Sequence, residues 1–224
     1  MRLKYTAIVF IFASALFITS CLTGTEQEDV PSRYAVDFRL EDVQLAHTTE
    51  EDTLEINEVT FLQGQIALQS ATGDSIVLFS GPGVYNYQFP AAELSRLIIG
   101  DLEEGTYESL AYAIEKAETG NDQVPEQFID GEGEEQRYSM IITGQYNQAD
   151  FEFKSTEPYS FEFSLGSPID IPENNVTLTL GVNFDIHQVF LTADSTVLLD
   201  PSDPNNAEQS DDNIESAIGL IPFN

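Results

Sequence analysis

Apolar and polar residues alternate along most of this chain. Val36, Phe38 and Leu40 alternate with polar neighbours. Val43 and Leu45 continue on the opposite parity, which predicts a bulge near Glu41-Asp42. Val59-Thr60-Phe61 and Ile66-Ala67-Leu68 flank Gly64, a second expected bulge. Ser75 to Phe79 predicts a short strand ending at Gly81-Pro82-Gly83, and Val84 to Phe89 another, stopped by Pro90. A helical turn is expected over Ala91 to Arg96, after which Leu97-Ile98-Ile99 leads into a turn over Leu102 to Tyr107 that enters a strand, Tyr107 to Ile114. Residues 119–136 form one long polar stretch. The signal is strongest after it. Tyr138, Met140 and Ile142 alternate, as do Phe151 and Phe153. So do Tyr159, Phe161, Phe163 and Leu165, and then Val176, Leu178, Leu180, Val182 and Phe184. Pro158, Gly166-Ser167-Pro168 and Pro172 to Asn175 punctuate these runs.

Period two with a polar outer face predicts antiparallel sheets packed on one side. Many short strands at near-regular spacing predict an all-β antiparallel sandwich rather than an α/β fold, over residues 34–224. Short helical turns are expected at the C-terminal end. One lies within Asp185 to Leu191. Another runs from Asp212 to Leu220, with Asp211 or Asp212 as N-cap.

The first twenty residues differ. Arg2 and Lys4 precede an apolar run, Tyr5 to Ile18, and then small polar residues. That order predicts a secretory signal peptide over residues 1–20. Its last step, Ile18-Thr19-Ser20-Cys21, resembles the bacterial lipobox: an aliphatic residue, two small ones, then cysteine. The resemblance implies cleavage before Cys21, the only cysteine of the chain, and its lipidation. A single acyl chain binds membranes marginally, whereas two or more anchor stably. An uncleaved anchor helix and a plain free thiol are the competing readings. Residues 21–33 then form a polar, acidic tether.

Charge narrows the partners. With Arg2 and Lys4 removed, 8 − 2 = 6 bases remain against 39 acids, a formal charge of 6 − 39 = −33. Such a surface repels nucleic acid and anionic headgroups. It favours solubility in a salty medium and attracts cations or basic partners. A lone cysteine excludes an internal disulfide, so packing alone holds the core.

Candidate chemistry is thin. The two histidines are His47 and His187. Asp185-Ile186-His187 would put a carboxylate and an imidazole on one face if extended, but no third ligand is visible. No G-x-S-x-G occurs, and Gly73-Asp74-Ser75 reads as a turn, which leaves a hydrolase the weakest reading. For calcium, Asp130, Glu132 and Glu134 interleave with glycine, and Asp200, Asp203 and Asp211 form a second acidic set. A hard cation wants about six to eight oxygens, and neither set fits the twelve-residue calcium loop. Tyr85, Tyr87, Tyr138, Tyr146 and Tyr159 are the candidates for a sugar platform, though tryptophan is absent and core pairing is the plainer reading.

Glu104-Gly105-Thr106-Tyr107, the aromatic strands, Val176 to Phe184 with Asp185 and Phe190, Leu199-Asp200-Pro201 and a final Asn213-Ile214 helix come in an order that resembles uncharacterised Bacteroidetes-type lipoproteins. The resemblance implies an immunoglobulin-like or prealbumin-like β-sandwich on the outer membrane, periplasmic or surface-exposed, and brings no activity. The expectation is therefore a non-catalytic envelope lipoprotein, anchored through Cys21, that binds an unidentified protein or glycan. Calcium is the one candidate cofactor.

Overall fold

The computed structural model describes residues 30–40, 46–48, 52–88, 95–118, 124–130, 133, 136–192 and 197–221. Residues 1–29, with Cys21, lie outside it, as do Glu41-Asp42 and residues 91–94. The chain divides at Val30/Pro31, and the unit that follows is an all-β sandwich of two sheets. Eleven strands are described, in chain order: β1 Arg33–Leu40, β2 Ala46–Thr48, β3 Thr53–Ser70, β4 Ser75–Gln88, β5 Ser95–Asp101, β6 Gly105–Ile114, β7 Met140–Tyr146, β8 Ala149–Ser155, β9 Tyr159–Ile171, β10 Thr177–Phe184 and β11 Ile218–Ile221. One helix, α1 (Ala207–Ala217), precedes β11.

The smaller sheet has the order β11-β10-β1-β5. Its central pair, β1 and β10, is parallel, from Arg33 opposite Thr177 to Leu40 opposite Phe184. Alternation marks which face is buried but not strand direction, so antiparallel pairing was the expectation throughout. A parallel pair needs a long crossover, and here the whole chain between β1 and β10 provides it. The larger sheet is organised on β3, which is 18 residues long. One edge of β3 pairs with β7 over Leu54–Phe61 and with β6 over Gln63–Ser70. The other edge pairs with β2 and β4.

Two strands run through residues that read as breaks in sequence. β4 continues across Gly81-Pro82, a cis peptide bond, opposite the register shift at Gln63/Gln65. Gly81 has φ +38°, and a Cβ there would lie 2.8 Å from the Gln63 carbonyl oxygen. Glycine is the residue that this crossing of two bulges admits. β9 likewise continues across Gly166-Ser167-Pro168, which loop out opposite Glu108 between paired residues Ser164 and Ile169. Each of these strands is an edge, where proline removes no ladder bond.

The sheets meet around Phe38. Its ring lies 5.1 Å from those of Phe61 and Tyr87 and 6.5 Å from Phe184. Val36, Phe38, Leu180, Val182 and Phe184 from one sheet and Leu54, Val59, Phe61, Leu110 and Ile142 from the other are fully buried. A satellite cluster forms on the opposite side of β3. There Phe128, at the end of a short 3-10 turn, buries against Leu62, Ala117, Val124 and Ile141. Part of the polar stretch 119–136 is thus pinned to the larger sheet by one aromatic residue.

The C-terminal end departs from expectation in one respect. Helix α1 starts at Ala207 rather than at Asp212, and Ile218–Ile221 is strand β11, paired with β10. Asp203-Pro204 supplies the start signal. The Asp203 carboxylate accepts from the Asn205 amide and caps a 3-10 turn that feeds the helix. Asp211 is therefore inside the helix and caps nothing. The expected turn within Asp185 to Leu191 is present as a 3-10 turn over Gln188–Phe190. Phe190 packs edge-on against Phe151 and Phe153. The Asn213 side-chain amide donates to the Val189 and Leu191 carbonyls and holds α1 on this turn.

Candidate functional site

Helix α1 and the turn between β8 and β9 enclose an open cleft of about 640 Å³. Glu208, Asp211, Asp212 and Glu215 line it from one helix face, at spacings of three, four and seven residues from Glu208. Ser210, Ile214 and Ala217 take the buried face, so burial of those three turns the carboxylates outward. Glu157 and Tyr159 line the opposite wall.

A relay of hydrogen bonds crosses the cleft. The Glu157 amide donates to Ser155 Oγ at 3.2 Å. Ser155 Oγ lies 2.6 Å from the Tyr159 hydroxyl, which donates to Asp211 Oδ1 at 3.0 Å. Burial raises the Asp211 carboxyl above its ordinary value, and the charges of Glu157 and Asp212 add to it, against the hydrogen bonds from Ser155 and Tyr159. Burial also drives the Tyr159 phenol well above its ordinary range. A phenol so placed stays protonated.

The calcium candidates are distributed as follows. Asp130 is exposed, and its Oδ2 accepts from Lys154 Nζ at 3.0 Å and from the Tyr138 hydroxyl at 2.9 Å. Those two bonds lower its carboxyl pKa, the Lys154 bond most. Glu132 and Glu134 lie outside the described residues. Asp200 Oδ1 accepts from the Ser202 amide, and Asp203 Oδ1 from the Asn205 amide and side chain, so both serve turns. Asp211 faces Tyr159. Among the described residues no group of three or more histidine, cysteine or acidic side chains is arranged to hold a metal.

The histidines are apart from this cleft in role. His47 falls in β2. His187 is buried, and Asp185-Ile186-His187 forms a turn, so the extended geometry expected for an Asp–His pair does not arise. Gly73-Asp74-Ser75 is the expected turn, tied by Ser70, Thr72 and Asp74 side chains. Of the tyrosines, Tyr87 stacks on Phe61 in the core and Tyr159 is buried, so neither offers a face to a sugar. The Ser155–Tyr159–Asp211 relay was not read from sequence. The acidic helix face was available at period 3.6, but only once the helix start was placed at Asp203-Pro204.

Fold and cleft together define an all-β sandwich with an acidic cleft beside its one described helix. Comparison with protein-family models, curated proteins and solved structures finds no match for the chain. No helix among the described residues is long and apolar enough to cross a membrane.

Proposed function

We propose that the chain is a lipid-anchored lipoprotein of the bacterial outer membrane whose β-sandwich is a non-catalytic binding or structural module. The observation that carries this is Ile18-Thr19-Ser20-Cys21, the lone cysteine closing an apolar run. Cys21 and Pro31 are ten positions apart. Fully extended, they span at most about 35 Å. Pro31 bridges Asn174, and Ser32 Oγ donates to the Pro172 carbonyl at 2.7 Å, so the sandwich begins directly after the tether. Near that end stand Asp74, Glu103, Glu104 and Asp170, which line two shallow pockets sharing Gly105 and Thr106. Their charge favours a stand-off from anionic headgroups.

Intact-mass analysis of the membrane fraction tests the anchor. The expected species starts at Cys21 and carries acyl mass. Retention of residues 1–20, or an unmodified Cys21, ends the proposal. A calcium-stabilised module is the second reading, motivated by the acidic composition of the chain and of the α1 cleft, although no three of the described acidic side chains are arranged to hold a metal. Calorimetric titration with calcium decides it. Heat of binding together with a melting temperature lowered by chelator supports it, and the absence of both ends it.

A further inference from the structure

On the basis of the Cys21 anchor proposed above, we infer that the β1–β10 pair is a mechanical clamp, one that resists a pull entering the sandwich through the tether. Residues 21–33 lead directly into β1, which lies between β10 and β5 in the smaller sheet. Covalent bonds therefore carry a pull on Cys21 to Ser32 and Arg33.

That entry is held on both sides. Ser32 is fully buried. Its amide donates to the Glu173 carbonyl at 3.1 Å and its hydroxyl to the Pro172 carbonyl at 2.7 Å, on the β10 side. Its carbonyl accepts from the Leu102 amide at 2.7 Å, on the β5 side. Arg33 adds an ion pair with Asp101 at 3.7 Å. β1 then pairs with β10 along all 8 of its residues, and with β5 from Arg33 to Phe38.

Direction decides how such a pair yields. β1 and β10 are parallel, so the tether leaves from the end where Arg33 faces Thr177, and Leu40 faces Phe184 at the other. Helix α1 is joined at that other end. The Asp185 amide donates to the Ala217 carbonyl at 2.9 Å, and β11 begins with Ile218 opposite Phe184. A pull between the tether and anything held at the α1 end therefore runs along the strands. It loads the evenly spaced bonds of the parallel ladder together. It also has to drag Val36 and Phe38 out of the core they share with Leu180, Val182, Phe61 and Tyr87. A pull between the tether and Glu173, in the turn before β10, acts across the same strands from one end. It opens the ladder pair by pair, and each bond meets the force alone. The same contacts resist strongly in the first direction and weakly in the second.

Single-molecule force spectroscopy of the full chain tests the clamp, with Cys21 kept unlipidated and used as one handle. Asp185→Cys supplies the second handle for a pull along the strands, and Glu173→Cys for a pull across them. At equal loading rate the first geometry is expected to unfold at a force about twofold higher or more, since the unfolding barrier governs forced unfolding. If Asp185→Cys loses its near-ultraviolet circular dichroism, Gln188→Cys, in the following 3-10 turn, replaces it with the same expectation. Equal forces in the two geometries, or a lower force along the strands, overturn the clamp. Intact-mass analysis decides the anchor separately. An unmodified Cys21 ends the anchoring proposal and leaves the force ratio to decide the clamp.

Discussion

The Tyr159 hydroxyl and Asp211 Oδ1 lie 3.0 Å apart and fasten helix α1 to the first residue of β9. This is the described side-chain hydrogen bond from the acidic helix face to the sheet, and the same hydroxyl also lies 2.6 Å from Ser155 Oγ. Tyr159→Phe keeps the ring stacked near Phe161 and removes both interactions. A buried partner left unpaired costs about 1–3 kcal/mol. Urea unfolding of the variant is expected to show a loss in that range, with an unchanged denaturant slope.

Asp211 also sets a pH dependence, with a definite sign. Its carboxyl is raised in the folded state relative to its ordinary value of 3.8. The folded chain therefore holds that proton more tightly than the unfolded chain. The stability it contributes is fully present below the unfolded value and is lost as pH rises through the folded one. Asp211→Asn keeps an oxygen to accept from Tyr159 and removes the titration. The stability difference, wild type minus Asp211→Asn, is expected to fall as pH rises from below 3.8 to neutral. Paired urea titrations across that interval measure it, and a flat difference contradicts it.

Phe38 is the keystone between the sheets, with Phe61, Tyr87 and Phe184 around its ring. Phe38→Ala leaves a cavity that rigid β-strands on both sides have little freedom to close. A loss of about 3–5 kcal/mol is expected, read by thermal or denaturant unfolding. Phe38→Leu, which retains most of the volume, is expected to cost less.

Phe128 has a local role. It buries in the satellite cluster with Leu62 and Ile141, on the side of β3 away from Phe38. Phe128→Ala is expected to raise amide exchange over Val124–Asp130 and at Tyr138, whose amide donates to the Phe128 carbonyl. Exchange in β1 and β10 is expected to change little, since local openings are separable from global unfolding.

The formal charge of −31 over the whole chain predicts a salt response. Self-repulsion between like charges weakens as the Debye length falls from about 10 Å at 0.1 M salt to about 3 Å at 1 M. The melting temperature is expected to rise over that range. A fall would show that ion pairs such as Arg96–Asp37 outweigh the repulsion.

Much of the fold was legible, for reasons that particular residues make plain. Leu178, Leu180, Val182 and Phe184 alternate because one side of β10 meets the larger sheet, and burial imposes that period directly. Gly64 marked a real bulge. Gly81-Pro82 and Gly166-Ser167-Pro168 read as breaks because glycine and proline usually punctuate. Here tertiary pairing on β3 and β6 carries the strands past them. The start of α1 was missed because Ala207 to Asn213 is mostly polar and its apolar contacts come only at Ile214 and Ala217. Of the candidate site, Asp211 was visible as an acid. Its partner Tyr159 was not, since 52 positions separate them and nothing local links a strand residue to a later helix.

The parallel pairing of β1 with β10 bears on how the chain acquires its structure. Arg33 meets Thr177, so the first strand made is completed only when the last quarter of the chain arrives. Contacts this distant in sequence slow folding, because a long loop must close before any of them forms. A chain made from its N-terminus thus presents β1 long before its parallel partner exists. C-terminal truncation before Thr177 is then expected to leave a chain that no protease-resistant core survives, however much of the larger sheet it retains.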